Sequence, residues 1–228
     1  MVLRCKAVRA CVFDAYGTLF DVASVSGRCQ GVPGDKVPNL ASLWREKQLQ
    51  YTWLRTIQGR HVDFWQVTGD ALDYSLDALQ IADARLRDQL MECYLQLDAF
   101  AEVPAALQAL RQSGRSIAIL SNGTPQMLAA AAEHAGIDRY LDLVISVEQV
   151  GVYKPHPKVY ASAAQQLNLA SDQICFVSSN AWDAYAASAY GMQVIWCNRY
   201  AQRAERLPGL PDAEVRDLGQ AASLLVDG

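Results

Sequence analysis

Five short apolar segments recur along the chain, and they predict buried strands. Each is four to six residues long, and most of them are rich in Val and Ile. A continuous apolar segment of this length is typical of a strand that is buried on both faces of a sheet. The predicted strands are Val8–Phe13, Ser116–Leu120, Leu143–Val147, Ile174–Val177 and Gln193–Cys197.

Segments with helical spacing separate the later strands. Thr124 precedes Pro125 as an N-cap residue precedes a proline in the first helical turn, and Gly136 stands where that helix should end. The segment Asp183–Tyr190 ends in the same way at Gly191. Because strands and helices alternate over residues 100–200, the sequence predicts an α/β fold, with a Rossmann-like parallel sheet covered by helices on both faces.

Residues 40–98 interrupt this alternation after its first strand. Leu40–Trp65 and Ser75–Leu97 have helical spacing and many aromatic residues, and neither contains a convincing strand. Ser24–Pro38, which has three glycines and two prolines, predicts an irregular loop before them. We therefore expect an α/β core made of residues 1–20 and 100–228, and an inserted helical cap subdomain made of residues 21–99.

Composition and charge narrow the class of protein. The chain has 228 residues, of which 51% are hydrophobic, and this is enough for a sizeable core. Its net charge is −4 and its basic residues are scattered, so no nucleic-acid surface or polybasic membrane patch is expected. The N-terminal residues lack the long apolar region of a secretory signal.

The six cysteines indicate a reducing compartment. They form no CxxC pair, and Cys11, Cys175 and Cys197 fall within predicted strands. Buried thiols acting as small core residues fit this pattern better than disulfides or metal ligands. We therefore expect a cytoplasmic protein.

Polar residues follow four of the five predicted strands. Asp14 follows the first strand, Ser121-Asn122-Gly123 follows the second, and Ser178–Asp183 follows the fourth. Lys154 lies a short connection beyond the third strand. Ligands of an open α/β sheet bind beyond the carboxyl ends of its strands, so these residues should meet at one rim.

Each of these residues also has an ordinary structural explanation. Asp14 could be a turn residue, Lys154 a solvated surface lysine, and Asp183 an acid in the first turn of a helix. The occurrence of all four groups in order after strands favours a functional site over four unrelated structural roles.

The four motifs resemble those of the haloacid dehalogenase superfamily, and within it those of the L-2-haloacid dehalogenases. The resemblance extends from Val8 to about Arg199. In addition, Leu43–Tyr51 resembles the subdomain segment in which an arginine, here Arg45, receives the halide. The motifs are, in chain order, Asp14–Thr18, Ser121–Gly123, Lys154-Pro155 and Ser178–Asp183.

Two positions separate this chain from the magnesium phosphatases that the superfamily also contains. Phosphatases carry a second Asp two residues after the nucleophile, where this chain has Tyr16. They also carry a Gly-Asp pair in the fourth motif, where the Asp is replaced by Ser179. Mg²⁺ requires hard anionic oxygens. We therefore expect no magnesium site, and the resemblance implies no other cofactor.

The resemblance implies a two-step hydrolysis of short (S)-2-haloacids. Asp14 attacks the carbon that bears the halogen, which inverts that carbon and forms an ester, and water then hydrolyses the ester to a D-2-hydroxy acid. Free Asp has a pKa of about 3.9, so Asp14 needs no general base to act as a nucleophile.

The resemblance also assigns roles to the polar candidates. Arg45 stabilises the departing halide with Asn122 and the ring edge of Trp182, and Ser121 binds the substrate carboxylate together with backbone N–H groups near Tyr16. Lys154 keeps Asp14 charged. Asp183 positions or activates the hydrolytic water. Residues that support the site by hydrogen bonds are Thr18, Tyr160, Ser178 and Asn180, and Tyr160 is also a candidate to line the substrate pocket.

The substrate's alkyl end would meet an apolar wall formed by Tyr16, Leu49, Phe64 and Trp182. Ordinary core packing is a strong competing explanation for Leu49 and Phe64. A surface position on a helix is the competing explanation for Arg45. Glu46 directly follows Arg45, where relatives have glutamine, and a carboxylate that faced the pocket would oppose halide binding. The three histidines match no catalytic position, and His134 should interact with a helix C-terminus.

Two other functions stay open at this stage. A phosphatase or related phosphotransferase of the same fold would release phosphate with magnesium, and a non-catalytic binding protein would have lost Asp14, Arg45 or Lys154. All three residues are present. The resemblance further implies that the only ligands are the haloacid and the halide, and that the chain forms a homodimer.

Overall fold

The structure, a computed structural model, describes residues 4–22, 25, 32 and 34–228. Its described residues contain a six-stranded sheet in which all neighbouring strands are parallel and the strand order is β3-β2-β1-β4-β5-β6. The strands are β1 (Ala10–Phe13), β2 (Ser116–Ser121), β3 (Leu143–Ser146), β4 (Ile174–Ser178), β5 (Gln193–Cys197) and β6 (Ala213–Val215).

All five predicted strands are confirmed, although the first begins at Ala10 rather than Val8. Every residue of β1, β4 and β5 is buried. Because successive side chains of a strand point to opposite faces, both faces of the sheet's centre are covered. The sixth strand was not predicted, since it has three residues of which only Val215 is buried.

Eight α-helices, of 10 to 22 residues each, complete the described part of the chain. None of them is long and apolar enough to cross a membrane. They are α1 (Val37–Gln58), α2 (Phe64–Ala78), α3 (Ala84–Cys93), α4 (Val103–Gln112), α5 (Pro125–His134), α6 (Pro157–Leu167), α7 (Ala181–Tyr190) and α8 (Leu218–Asp227).

The helical spacing of residues 40–98 is divided among three helices. The prediction of continuous helical segments over Leu40–Trp65 and Ser75–Leu97 was wrong in its boundaries. α1 ends at Gly59, which has a positive φ of 64°, and α2 starts again after Asp63, whose carboxylate accepts a hydrogen bond from the backbone N–H of Gln66. A break of five residues between helices leaves the spacing of apolar residues almost unchanged, so the pattern alone did not reveal it.

The predicted irregular loop Ser24–Pro38 is shorter than expected at its C-terminal end. α1 begins at Val37, so Pro38 lies in the first helical turn, where its missing N–H group costs nothing. Residues 23–24, 26–31 and 33 lie outside the described residues, and Cys29 is among them.

The chain leaves the sheet and returns to it at neighbouring points. Phe20 forms an isolated antiparallel bridge with Ala99, and the backbone N–H of Asp21 donates to the carbonyl of Asp98 at 2.8 Å. The three helices between these points, α1 to α3, belong to the connection from β1 to β2, and α1 packs against α2. The two ends of the segment that carries these helices therefore lie side by side.

The predicted ends of α5 and α7 are close to those observed. The Thr124 hydroxyl accepts a hydrogen bond from the backbone N–H of Met127 at 3.1 Å, as an N-cap does, and α5 ends just before Gly136. α7 begins at Ala181, two residues before the predicted Asp183, and ends at Gly191. Both helices thus begin at the rim where β2 and β4 end.

Candidate active site

The candidate site lies where the order of the strands reverses direction. β1 and β4 are neighbours in the sheet, but the chain passes through β2 and β3 between them. Asp14 directly follows β1, Ser178 is the last residue of β4, and Asn180 and Asp183 lie at the start of α7. This point of an open α/β sheet forms a crevice and is its usual ligand site.

The Asp14 carboxylate is held by four donors from three segments of the chain. Its Oδ2 accepts hydrogen bonds from Asn180 Nδ2 at 2.7 Å, from Thr18 Oγ1 at 3.1 Å and from Ser178 Oγ at 3.4 Å. Its Oδ1 accepts a hydrogen bond from Lys154 Nζ at 3.1 Å. Among the contacts of the described residues, Oδ2 is therefore crowded with donors, whereas Oδ1 keeps lone-pair capacity for another partner.

Lys154 is buried between two carboxylates. Its Nζ lies 3.1 Å from Asp14 Oδ1 and 2.7 Å from Asp183 Oδ2, and the residue is 1% exposed. Burial alone lowers the pKa of Lys154, but the charges of Asp14 and Asp183 outweigh it, so the pKa lies above its ordinary value. The backbone N–H of Lys154 donates to Asn122 Oδ1 at 3.0 Å. This bond joins the segment that follows β3 to the segment that follows β2.

Asp183 is fully buried, and both of its carboxylate oxygens have partners. Tyr160 donates its hydroxyl to Oδ1 at 2.6 Å, and Lys154 donates to Oδ2. Burial raises the pKa of Asp183 to about 6, Lys154 opposes this rise, and the charge of Asp14 adds to it. The contact favours the supporting role predicted for Tyr160 over its other predicted role as a substrate-lining residue.

Arg45 reaches the site from α1, across the boundary between the insertion and the sheet. Its Nη2 donates to Asn180 Oδ1 at 3.3 Å and its Nη1 donates to Gln48 Oε1 at 2.7 Å. No carboxylate forms an ion pair with Arg45 within the part of the chain that the structure describes. The expected conflict with Glu46 does not arise, because Glu46 is exposed and faces solvent.

Three aromatic rings form a buried wall beside Asp14. The ring of Tyr16 stacks on that of Phe64 at 5.8 Å and contacts that of Tyr94 at 5.4 Å. Gly123 makes room for Tyr16, since a Cβ atom on Gly123 would lie 2.7 Å from the Tyr16 hydroxyl. The backbone carbonyl of Tyr16 accepts a hydrogen bond from Asn180 Nδ2 at 3.1 Å, which fixes the wall relative to Asp14.

Three predicted site residues form no described side-chain hydrogen bond or ring contact with another predicted site residue. Ser121 is fully buried, and its hydroxyl accepts a hydrogen bond from the backbone N–H of Gly123 at 3.2 Å. Leu49 is half-buried on α1. Trp182 is half-buried and packs edge-to-face against Trp53 at 5.6 Å, on the outer side of Tyr160.

Sequence analysis missed Gln48 and Tyr94, which contact Arg45 and each other at the site. Tyr94 donates its hydroxyl to Gln48 Oε1 at 3.2 Å. Gln48 follows Arg45 by three residues on the same helix, and a polar residue at a buried helical position is a signal that the sequence does contain. Tyr94 offers no such signal, because it reaches the site only through the packing of α3's C-terminal end.

No group of three or more His, Cys, Asp or Glu side chains is placed to hold a metal ion among the described residues. The carboxylates of Asp14 and Asp183 converge instead on the ammonium group of Lys154. The arrangement thus provides the Asp14 carboxylate, a fixed cation, Lys154, beside it, and a second cation, Arg45, on α1.

Comparisons with known proteins point to one family. A model of the haloacid dehalogenase-like hydrolases matches residues 8–191. The (S)-2-haloacid dehalogenase of Pseudomonas sp. (strain YL) is 44% identical over 95% of this chain and 94% of its own, and (S)-2-haloacid dehalogenase 1 of Pseudomonas sp. (strain CBS-3) is 42% identical over 84% and 85%. The structure of the L-2-haloacid dehalogenase from Xanthobacter autotrophicus with chloropropionic acid covalently bound is similar with a TM-score of 0.90, at 34% identity over 96% of this chain and 98% of that one.

Replacement of Lys154 by methionine tests the charge balance of the site. The variant leaves two buried carboxylates without a cation, so we expect the free energy of unfolding to fall by about 3 kcal/mol at pH 8. Burial raises the pKa of Asp183 above its value in the unfolded chain, and without Lys154 nothing of comparable charge opposes that rise, so stability is recovered as the pH falls and Asp183 binds a proton. Urea denaturation at pH 8 and pH 5 should show a smaller deficit at pH 5.

Lys158→Met is the matched control, because Lys158 is exposed four residues further along the chain. It should change the free energy of unfolding by less than about 0.5 kcal/mol at either pH. A Lys154→Met deficit that is equally large at both pH values would contradict the charge argument and point to lost packing.

Proposed function

Because this chain belongs to the haloacid dehalogenase-like hydrolases and, within them, to the (S)-2-haloacid dehalogenases, we propose that it hydrolyses short L-2-haloalkanoates to D-2-hydroxy acids and halide, with Asp14 as the nucleophile. One observation carries the proposal: the Asp14 carboxylate stands at the switch point of the sheet, with Lys154 on one oxygen and three donors on the other.

In the first step, Asp14 Oδ1 attacks the carbon that bears the halogen. A new C–O bond forms as the carbon–halogen bond breaks, and the halide leaves with the electron pair on the side opposite the attack, which inverts the carbon. Oδ1 suits this role because Lys154 is its only partner among the described contacts. The donors on Oδ2 from Thr18, Ser178 and Asn180 fix the carboxylate plane, so the attacking oxygen is aligned before the substrate binds.

In the second step, water attacks the carboxyl carbon of the Asp14 ester. The bond between that carbon and the ester oxygen breaks, so the product takes its hydroxyl oxygen from Asp14 and the water oxygen remains in the regenerated carboxylate. The water's protons go to the hydroxy acid and to solvent. Asp183 is the proposed aid to this water, although its bonds to Lys154 and Tyr160 support a role in holding Lys154 more directly.

The halide leaves toward Arg45, which stabilises an anion in a site with little water. The absence of an ion-paired carboxylate near Arg45 in the described part of the chain supports this role, because its charge is not already neutralised. Asn122 and Trp182 are the proposed additional halide contacts. Asn122 is buried beside Lys154, whereas Trp182 lies further out against Trp53.

The substrate carboxylate is proposed to bind Ser121 and backbone N–H groups near Tyr16. Ser121 is fully buried at the end of β2, and its hydroxyl hydrogen has no acceptor among the described hydrogen bonds. Tyr16, Phe64 and Leu49 form the proposed wall for the alkyl end. Stacking of Tyr16 on Phe64 supports the first two assignments.

Residues 21–99 are proposed to form a cap over a core made of residues 1–20 and 100–228. The neighbouring crossings at Phe20 and Ala99 support these boundaries, as does Arg45, which reaches the site from α1. A homodimer and a cytoplasmic location belong to the same proposal. The family resemblance supports the dimer, and the free thiols of the described cysteines support a reducing compartment.

Replacement of Asp14 by asparagine should abolish halide release. We expect wild type to release halide from L-2-chloropropionate in the presence of EDTA and to form D-lactate, and we expect Asp14→Asn to be at least ~1,000-fold slower because an amide is a poor nucleophile. Ion chromatography of chloride and chiral analysis of lactate measure both results. Asp138→Asn, at an exposed position, is the control and should keep wild-type activity.

The phosphatase alternative makes the opposite prediction for the same samples. If neither protein released chloride, and wild type instead released phosphate from a generic ester only with magnesium, the dehalogenase proposal would be wrong. Tyr16 and Ser179 occupy the positions where such a phosphatase carries carboxylates, and this counts against that outcome.

The pH dependence of turnover tests the role of Asp183. Burial raises the pKa of Asp183 to about 6, so lowering the pH through that value protonates the carboxylate and weakens its hold on Lys154. We expect kcat to fall on the acid side of about pH 6. Steady-state kinetics between pH 5 and 8 should show this acid limb in wild type, whereas Asp183→Asn should be slow and flat over the range. An identical limb in Asp183→Asn would assign it to another group.

A further inference from the structure

Arg45 does not hold its position at the site alone. Its two terminal nitrogens donate to two different segments: Nη1 to Gln48 Oε1 at 2.7 Å within α1, and Nη2 to Asn180 Oδ1 at 3.3 Å at the start of α7. Asn180 also donates to Asp14 Oδ2 at 2.7 Å. The guanidinium group is thereby fixed relative to the nucleophile, and Gln48 is its acceptor on α1.

Gln48 is a buried amide whose oxygen and nitrogen both have hydrogen-bond partners. It is 1% exposed. Its Oε1 accepts from Arg45 and also from the hydroxyl of Tyr94 at 3.2 Å, and its Nε2 donates to Thr68 Oγ1 at 2.8 Å. A buried polar network of this kind persists only where its members are satisfied, and each satisfied bond restricts the rotamers of the others.

The surrounding bonds leave the Gln48 amide one orientation. Thr68 donates its own hydroxyl hydrogen to the carbonyl of Phe64 at 2.7 Å, so toward Gln48 it acts as an acceptor and must face the amide nitrogen. Arginine has no acceptor, so Arg45 must face the amide oxygen. The backbone of Thr68 is fixed in turn by Trp44, whose Nε1 donates to the Thr68 carbonyl at 2.9 Å.

The chemistry of this acceptor matters as much as its position. A glutamate at position 48 would orient Arg45 equally well, but its charge would neutralise the guanidinium group in a buried setting where charges interact strongly. A neutral amide oxygen orients the cation and leaves its full positive charge for an incoming anion. The oxygen's second donor, Tyr94, reduces its negative character further.

We infer that Gln48 is a positioning residue for Arg45, which it holds through a neutral hydrogen bond so that the full charge of the guanidinium group stabilises the departing halide. This inference rests on the proposed function and deepens it, since no motif of the family resemblance includes Gln48, Thr68 or Tyr94. It makes Gln48 a determinant of how strongly the rate depends on the leaving group.

The test compares Gln48→Leu and Gln48→Glu with wild type on two substrates, L-2-chloropropionate and L-2-bromopropionate. The parameter is kcat/KM, which reports the steps up to halide expulsion. Chloride is the poorer leaving group and needs more stabilisation, so we expect Gln48→Leu to lower kcat/KM ~10- to 100-fold on the chloride substrate and clearly less on the bromide substrate. Inhibition by added bromide ion should weaken by a similar factor. Gln48→Glu, which keeps the shape and adds a negative charge, should weaken bromide inhibition at least as much.

Thr52→Val is the matched control, because Thr52 is also buried on α1 but its hydroxyl donates only to the Leu49 carbonyl of the same helix, at 2.6 Å. It should leave the chloride-to-bromide ratio and the bromide inhibition unchanged. If Gln48→Leu does not fold, Thr68→Val replaces it. That variant removes the acceptor that orients the amide, so it should change the same ratio in the same direction by a smaller factor.

An equal fall of kcat/KM on both substrates, with bromide inhibition unchanged, would overturn the inference and leave Gln48 a purely structural role. Folded Gln48 variants that kept the wild-type kcat/KM on both substrates would likewise overturn the inference. Absence of halide release by wild type is a different result, because it would refute the proposed function itself.

Discussion

The arrangement of the site depends on one buried ammonium group. Lys154 is 1% exposed and lies within 3.1 Å of Asp14 and 2.7 Å of Asp183. Two carboxylates this close together in a buried crevice repel each other, and the cation between them offsets part of that cost. Because Lys154 follows β3, Asp14 follows β1 and Asp183 opens α7 after β4, this charge balance exists only when three separate strand ends are in register. Folding of the sheet thus also assembles the charge balance around the nucleophile.

The second constraint is the junction between the insertion and the sheet. Arg45 and the aromatic wall residue Phe64 both come from the inserted helices, and both meet residues that follow strands of the core. Glu148, just after β3, accepts hydrogen bonds from the backbone N–H of Phe64 at 3.1 Å and contacts His61 at 3.0 Å. The start of α2 is therefore fixed to the core near the site. A cation that belongs to the insertion can face a nucleophile that belongs to the core only because such contacts hold the two parts together.

The sequence was sufficient to predict the elements whose signals are local. Continuous apolar segments predicted five strands, and the polar residues after them predicted Asp14, Lys154 and Asp183, because parallel strands place their carboxyl ends at one rim. Tyr94 could not be predicted in the same way, since it meets Gln48 only after α1 and α3 pack together. Gln48 lies three residues from Arg45 on α1, but its burial, which depends on the same packing, is what makes it part of the site. The placement of Trp182 against Trp53, and the solvent-facing direction of Glu46, likewise depend on how α1 lies on the core. Three-residue β6 carried too little apolar pattern to be recognised.

The central claim is that Asp14 forms a covalent ester, and a single turnover in water enriched in ¹⁸O tests it most directly. With enzyme in excess over L-2-chloropropionate, the product's hydroxyl oxygen should come from Asp14. Mass spectrometry should therefore find unlabelled lactate and ¹⁸O in the peptide that contains Asp14. Labelled lactate together with an unlabelled Asp14 peptide would show that water attacks the substrate directly, and it would contradict the role of Asp14 as nucleophile.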